Sequence, residues 1–475
     1  MKHTILSLIS GVIVFTCIPN LYAQDMRSAY FLEGYYYRHQ MNPAFMPERA
    51  YVSFPGLGNL DISAHGNVGV SNFLFTYDDP LQQSILTTFM NRTVDPNQFL
   101  NNLNDRNKVG ANVDMSILSF GFNAWGGFNT FGLGLHSRSN MNAPYELFDF
   151  MKTSEMGGSG KSEYLIRDFQ VNTTNYVDVC FGHSRLINER LTVGATLKFL
   201  IGAANLETRF NDMHITMHEN EWLIKANGYM HASANNLKFK TRPDQEIEDL
   251  ELESPGIGGF GIGIDFGASY RLFENLTLSA AMIDLGFIRW NNTLKGTTHN
   301  DPYSFKGFET IGVGSGSEYP SLGDQFDDLG ADFEEMAKFY DDGTIRKNTV
   351  LAASLNLGAE YELPVYRKLS FGLLSSTHFH HPYTWTEARA SVNVSPLNWL
   401  EATLSGAWST FGPGFGFLIN FHPKGFNFFL GSDFMITEVT PQYIPVHKMN
   451  ANVCLGVNFA IGKQKVIPRK LVALK

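Results

Sequence analysis

The sequence predicts an all-β chain that closes into a membrane-spanning antiparallel barrel of about fourteen strands. Three observations predict it. The stretch 256–290, GIGGFGIGIDFGASYRLFENLTLSAAMIDLGFIRW, alternates with a period of two. Ile262, Ile264, Phe266, Ala268, Tyr270 and Leu272 share one face, and Gly261, Gly263, Asp265, Gly267, Ser269 and Arg271 share the other. Lipid outside and a wet or plugged lumen inside suit these two faces. Second, charged residues are 17% against about 25% in soluble domains, and aromatic residues reach 13%. Beyond the first residues no apolar run reaches the roughly 18 positions that a spanning helix needs. Third, short turns alternate with long loops over the first ten strands, as in barrels with short turns on one side of a membrane and long loops on the other. A soluble sandwich has no reason to segregate loop lengths by side.

Residues 1–23 read as a secretory signal: Lys2, an apolar core from Ile5 to Ile18, and Leu21-Tyr22-Ala23 before the cleavage point. Cys17 leaves with it. Cys180 and Cys454 then remain, too few for a disulfide framework, and read as isolated thiols. Residues 24–57 open with a poorly periodic, Tyr-, Met- and Pro-rich stretch containing Asn42-Pro43-Ala44. They read as a hatch or plug leading into the barrel. Residues 58–461 are the barrel, and 462–475 form a basic tail. With both short turns and termini on one side, the termini are expected in the periplasm and the barrel in a bacterial outer membrane.

The first strand is expected at about 58–75, followed by a long loop at 76–111. Strands at about 112–124 and 128–138 meet at Gly126-Gly127, and a loop covers 139–171. Strands at about 173–186 and 190–206 meet at Ile187-Asn188-Glu189. The loop at 207–257 holds a possible ribbon, Met213–Met217 with Trp222–Met230. The hairpin at 256–290 follows, with a slip of the alternation near Ala281-Met282 that reads as a bulge. After a loop at 291–347, Pro364-Val365-Tyr366, Pro396-Leu397-Asn398 and His422-Pro423-Lys424-Gly425 join three further hairpins. A last strand runs over about 450–461. Tyr270, Tyr361, Trp399 and Phe421 near the short turns, and Trp290, Phe379, Trp385 and Trp408 at the other ends, suggest two interfacial belts.

The loops carry helical patterns. Asp324–Tyr340 spaces Phe326, Leu329, Phe333, Met336 and Phe339 three and four apart on an acidic background. Leu81, Ile85, Leu86 and Phe89 suggest a second helix, and Tyr145, Phe148 and Met151 a third. Such apolar faces could form a greasy rim for a ligand, or simply pack on one another. Strand phase turns Asp61, His65, His136, Arg138, Asp178, Lys198, Asp265, Arg271, Asp284, Glu360, Glu401 and Asp433 inward. There they can pair, hold a plug or line a pathway. Inward glycines such as Gly267, Gly414 and Gly416 leave room for the N-terminal segment against the wall.

The fourteen strands, Tyr35-Tyr36-Tyr37…Met41-Asn42-Pro43-Ala44-Phe45 and the loop helices resemble the FadL-like outer-membrane family of hydrophobic-compound transporters. Tyr35-Tyr36-Tyr37…Met41-Asn42-Pro43-Ala44-Phe45 and Ile283-Asp284-Leu285-Gly286-Phe287-Ile288-Arg289-Trp290 look closer still to uncharacterised Bacteroidota outer-membrane proteins, a group that also resembles barrels accessory to type IX secretion. The resemblance covers most of the mature chain and implies architecture more than substrate. The chain departs from the common pattern in ending on Lys463 to Lys475, not on a terminal aromatic.

A net charge of -10 gives no basic footprint for nucleic acid. No metal-site spacing, nucleophile elbow or phosphate loop is present, so neither cofactor nor metal is expected. The leading expectation is a non-enzymatic barrel for a hydrophobic or small molecule, with membrane lipid around it. The alternative is an interaction barrel holding a secretion or surface partner; an enzyme comes third.

Overall fold

The computed structural model describes residues 26–47, 49–77, 85–154, 161–218, 222–305, 336–379, 381–435 and 450–462, together with 325, 329, 330, 332 and 333. The expected signal at 1–23, the tail after Gly462 and Phe326 lie outside the described residues. The wall is a closed barrel of fourteen antiparallel strands. In chain order they are β1 (Ala50–Ser53 with Leu60–Gly66), β2 (Arg106–Ala124), β3 (Gly127–Pro144), β4 (Glu163–Leu186), β5 (Leu191–Met217), β6 (Gly259–Phe273) and β7 (Leu276–Trp290). Then come β8 (Asn348–Val350 with Ala353–Glu362), β9 (Leu369–Phe379), β10 (Thr384–Leu397), β11 (Leu400–Ser409), β12 (Gly412–Phe421), β13 (Asn427–Ser432) and β14 (Ala451–Ile461). Each pairs with its neighbours, and β14 closes the ring on both halves of β1, at Tyr51↔Ala460 and Ile62↔Val453. Closure leaves no sheet edge facing lipid.

The outer face is apolar. Phe260, Ile262, Phe266, Leu373, Leu404 and Phe415 are each at least 45% exposed. Their inward neighbours, such as Asp265, Ser269, Ser391 and Ser405, are buried. An exposed greasy girdle around a polar-lined interior is stable only with lipid outside.

The structure corrects several sequence expectations. β2 to β5 are 19, 18, 24 and 27 residues long, well beyond the roughly 9–11 that cross a bilayer. Their extra length stands on the long-loop side and occupies much of the supposed loops. Outside the bilayer a strand needs no greasy face, so the alternation fades in Ser137-Arg138-Ser139-Asn140 although the ladder continues. Trp222–Ala234 pairs with the end of β5, Met213↔Ala226 to Met217↔Trp222. Thr293–Thr297 and Tyr340–Ile345 continue the sheet.

The bulge lies two residues later than expected. Ile264 faces Leu285 and Phe266 faces Met282, so Ile283 and Asp284 share one partner, Asp265. Asp284 takes the left-handed conformation, φ 58°, which Asp tolerates better than most side chains. Ile283 is buried as a result. Trp290 and Trp385 are only 2% exposed and do not join an outer belt, whereas Phe379 and Trp408 are exposed. Both tryptophans fall on the inward phase of their strands, and the Trp290 indole donates to Thr349 Oγ1 at 2.8 Å.

The expected helix through Ile85, Leu86 and Phe89 is instead a strand, Ile85–Thr88, paired with Leu74–Tyr77. Ile and two Thr in a row favour extended backbone. Leu81 lies outside the described residues. Tyr145–Thr153 is helical, as is the backbone at 325, 329, 330, 332, 333 and 336.

Candidate functional site

The long-loop end is capped by an apolar core. Phe89, Phe99 and Phe148 meet Phe73, with Phe89 stacked on Phe99 at 4.3 Å. Leu329, Met336 and Phe339 are buried in this core. Phe339 lies 5.1 Å from Phe210, and the partly buried Phe333 lies 5.3 Å from Phe169. These four rim candidates therefore face the cap interior and not the solvent.

Below the cap the lumen is filled by residues 26–47. Tyr30, Tyr35 and Tyr37 are at most 2% exposed. Tyr30 meets Phe31 and Phe45 edge-on, and Tyr35 meets Phe429 of β13, all at 4.9 Å. Asn42 organises the turn. Its Oδ1 accepts from Ala44 N at 3.0 Å, and its Nδ2 donates to Tyr30 Oη at 3.2 Å and to the Ala268 carbonyl at 3.3 Å. Wall glycines admit this turn: a Cβ on Gly194 would sit 2.1 Å from the Pro43 carbonyl oxygen, and one on Gly267 would sit 2.1 Å from Asn42 Oδ1. Burial holds His39 neutral, its imidazole pushed down to about 4.

Two lumen candidates bind this segment. Glu401 Oε2 accepts from Gly34 N at 2.9 Å. Asp433 receives the amides of Arg27 and Ser28 at 2.8 and 2.7 Å, capping the short 3-10 turn Arg27–Ala29 from the far end of the chain. Arg27 Nε stands 3.4 Å from Glu387 and 3.5 Å from Asp433. Arg389 donates to Glu387 at 2.7 Å and lies 3.5 Å from Asp433. Two cations and two carboxylates, all nearly fully buried, thus form a neutral latch. Asp433→Ala would leave two guanidinium groups with one carboxylate. The expected cost is about 3–5 kcal/mol, read as a lowered urea midpoint in lipid vesicles and as new protease cleavage within residues 26–47.

The remaining candidates sit elsewhere. On the β2–β4 wall, His136 bridges Asp114 at 2.5 Å and Asp178 at 3.0 Å, with Arg138 on Asp114 at 2.7 Å. On β5–β7, Lys198 pairs with Asp265 at 3.0 Å and Asp284 at 2.5 Å. Glu360 accepts from Ser370 at 2.9 Å. Arg271 lies half-buried at the short-turn end, its amide on the Arg190 carbonyl. The sequence reading missed Arg27, Ser28, Asp114, Glu387 and Arg389. Strand phase could have found Asp114, Glu387 and Arg389; nothing periodic marks Arg27 or Ser28. Among the described residues no three His, Cys, Asp or Glu side chains gather to hold a metal ion, and Cys180 and Cys454 are free thiols.

A toluene transporter of Pseudomonas putida, TodX, shares 11% identity with a TM-score of 0.40, over 89% of this chain and 93% of its own. A Pseudomonas aeruginosa FadL homologue shares 10% with a TM-score of 0.38, over 93% and 98%. The translocator domain of the autotransporter NalP from Neisseria meningitidis shares 6% with a TM-score of 0.30, over 87% and 88%. At such distances these are likenesses of barrel architecture alone. No curated protein matches the sequence. A family model does match, over residues 43–433, from the Asn-Pro-Ala turn to the latch carboxylate. The chain belongs to that family, described as a family of unknown function (DUF5723).

Proposed function

We propose that this is an outer-membrane barrel that captures and passes a hydrophobic or small molecule without altering it. The observation that carries the reading is a group of buried aromatic rings beside the N-terminal segment: Phe411, Trp385 and Tyr383 lie 5.5–6.2 Å from the ring of His65, on the lumen face of β1, and the Arg27 guanidinium lies 4.9 Å over Trp385. A greasy molecule entering the lumen from the long-loop end meets these rings and then the latch. Residues 26–47 act as the hatch in this reading. The signal peptide exports the chain, and both termini stay in the periplasm. The broken strand β1, interrupted between Ser53 and Leu60, offers a second place where the wall could part. The secretion-partner alternative has no observation in its favour.

The test is binding of a fluorescent long-chain alkylbenzene to the purified barrel, with Phe411→Ser beside it. Saturable binding that weakens about tenfold or more in the variant is expected, since one buried ring is worth roughly 1.5–3 kcal/mol. Absence of saturable binding of any apolar probe would sink the transport reading.

A further inference from the structure

The region where these aromatic rings meet the latch has a chemical signature of its own. Trp385, Glu387 and Arg389 alternate on the inward face of β10, at 2%, 1% and 2% exposure. Arg27 bridges the first two: its guanidinium lies over the Trp385 ring, and its Nε stands 3.4 Å from Glu387 Oε1. Its Nη1 donates to His378 Nε2 at 3.2 Å. Besides Arg27 Nε, which faces the two carboxylates at 3.4 and 3.5 Å, three buried polar atoms here have no hydrogen-bond partner among the described residues: Trp385 Nε1, Arg27 Nη2 and Glu387 Oε2. Leaving such atoms unpaired carries their full desolvation cost. Two of them can only donate and the third can only accept.

The surroundings restrict what could satisfy them. Phe411 lies 5.8 Å from Trp385 and 5.9 Å from Tyr383, and Phe434 lies under Arg27 at 5.6 Å. The body of a ligand here would be apolar or aromatic. The charges already cancel, two guanidinium groups against Glu387 and Asp433. A carboxylate or ammonium head would bring an unbalanced charge into a buried site. A purely hydrocarbon ligand would leave all three atoms orphaned. A hydroxyl does both at a single neutral atom, accepting two hydrogen bonds and donating one.

We propose that this site binds a neutral, hydroxyl-bearing apolar molecule, such as an alkylphenol or a long-chain alcohol. Its hydroxyl donates to Glu387 Oε2 and accepts from Trp385 Nε1 and Arg27 Nη2, and its body lies along Phe411 and Tyr383. The inference rests on the transport reading and narrows its substrate class. It also makes the three atoms selectors: they favour the hydroxyl compound over its hydrocarbon and carboxylate counterparts.

The test uses the full-length mature barrel in detergent micelles and three probes of one shape: 4-hexylphenol, hexylbenzene and 4-hexylbenzoate. Binding is measured by equilibrium dialysis for the wild type, Trp385→Phe and Glu387→Gln. Trp385→Phe removes the indole N–H and keeps an aromatic ring. The expected result is that Trp385→Phe weakens hexylphenol about tenfold, the loss of one buried hydrogen bond, and leaves hexylbenzene within about twofold. Wild-type binding of the benzoate should be weakest. Because each probe is compared between proteins, its partition into micelles cancels. Saturable binding of all three probes with no probe-dependent effect of either variant would overturn the hydroxyl inference, with ordered water satisfying the three atoms, and would leave the transport reading standing. No saturable binding of any probe would overturn both. If Trp385→Phe fails to reach the heat-modifiable folded band on gels, the wild-type probe order and Glu387→Gln decide. A wild-type preference for benzoate then counts against the proposal.

Discussion

Deleting residues 24–48 while keeping residues 1–23 should turn a nearly silent barrel into one with stepwise, porin-like conductance in planar bilayers. The wall does not need the segment for its ladder, since β14 pairs directly with β1 and every strand has both neighbours. The folded band on gels should therefore persist. What the deletion exposes is polar. Ser279, Ser391, Ser405, Thr403, Asn420 and Asn458 face the space the segment occupies, and water can wet them where the aromatic rings of residues 30–37 stood. Eight-stranded barrels fill with their own side chains and 16–18-stranded ones hold water; fourteen strands leave a lumen too wide for the wall alone to fill. If the truncated barrel stays silent, the apolar cap around Phe89, Phe99 and Phe148 is the seal, and residues 26–47 are not the plug. If the intact barrel already conducts as much as the truncated one, the tyrosine cluster leaves a water path and the hatch reading fails.

The barrel was legible because lipid imposes it. Phe260, Ile262, Phe266 and Tyr270 must face the bilayer, so their alternation survives in the sequence, and the turn residues between strands mark the register. Where the wall rises past the bilayer that demand ends, and β2 to β5 there read as loop. Ile85–Thr88 shows a second limit. Its apolar residues fit a helical face by spacing, but the β-branched Ile85, Thr87 and Thr88 and the pairing with Leu74–Tyr77 decide the structure. The inward charges were legible as a set from strand phase. Their partners were not, because pairing depends on neighbours distant in sequence. Asp433 meets residues 405 and 406 positions earlier in the chain, and no local pattern encodes that. The Trp385 environment was hidden for the same reason: an aromatic at a strand end reads as a belt residue until Arg27 and Phe411 are placed beside it.

Lys198→Met should be among the most damaging single substitutions in the wall, at about 3–5 kcal/mol. Lys198 lies 14% exposed between Asp265 and Asp284, and no second cation is within ion-pair distance of either carboxylate among the described residues. The methionine keeps the apolar stem and removes only the charge, so the loss reports the two stranded carboxylates and not a cavity. The triple variant Lys198→Met, Asp265→Asn, Asp284→Asn should recover most of it. Asn at 265 retains an oxygen for the Asp284 amide, now 2.7 Å away. Asn at 284 tolerates the left-handed backbone that the bulge requires. Urea titrations of the three proteins in the same lipid vesicles measure this directly. A single variant that loses less than about 1 kcal/mol, the scale of an exposed pair, would mean that water reaches the cluster and that this side of the lumen is wet. A triple variant as unstable as the single would place the cost in the bulge geometry and not in the charge.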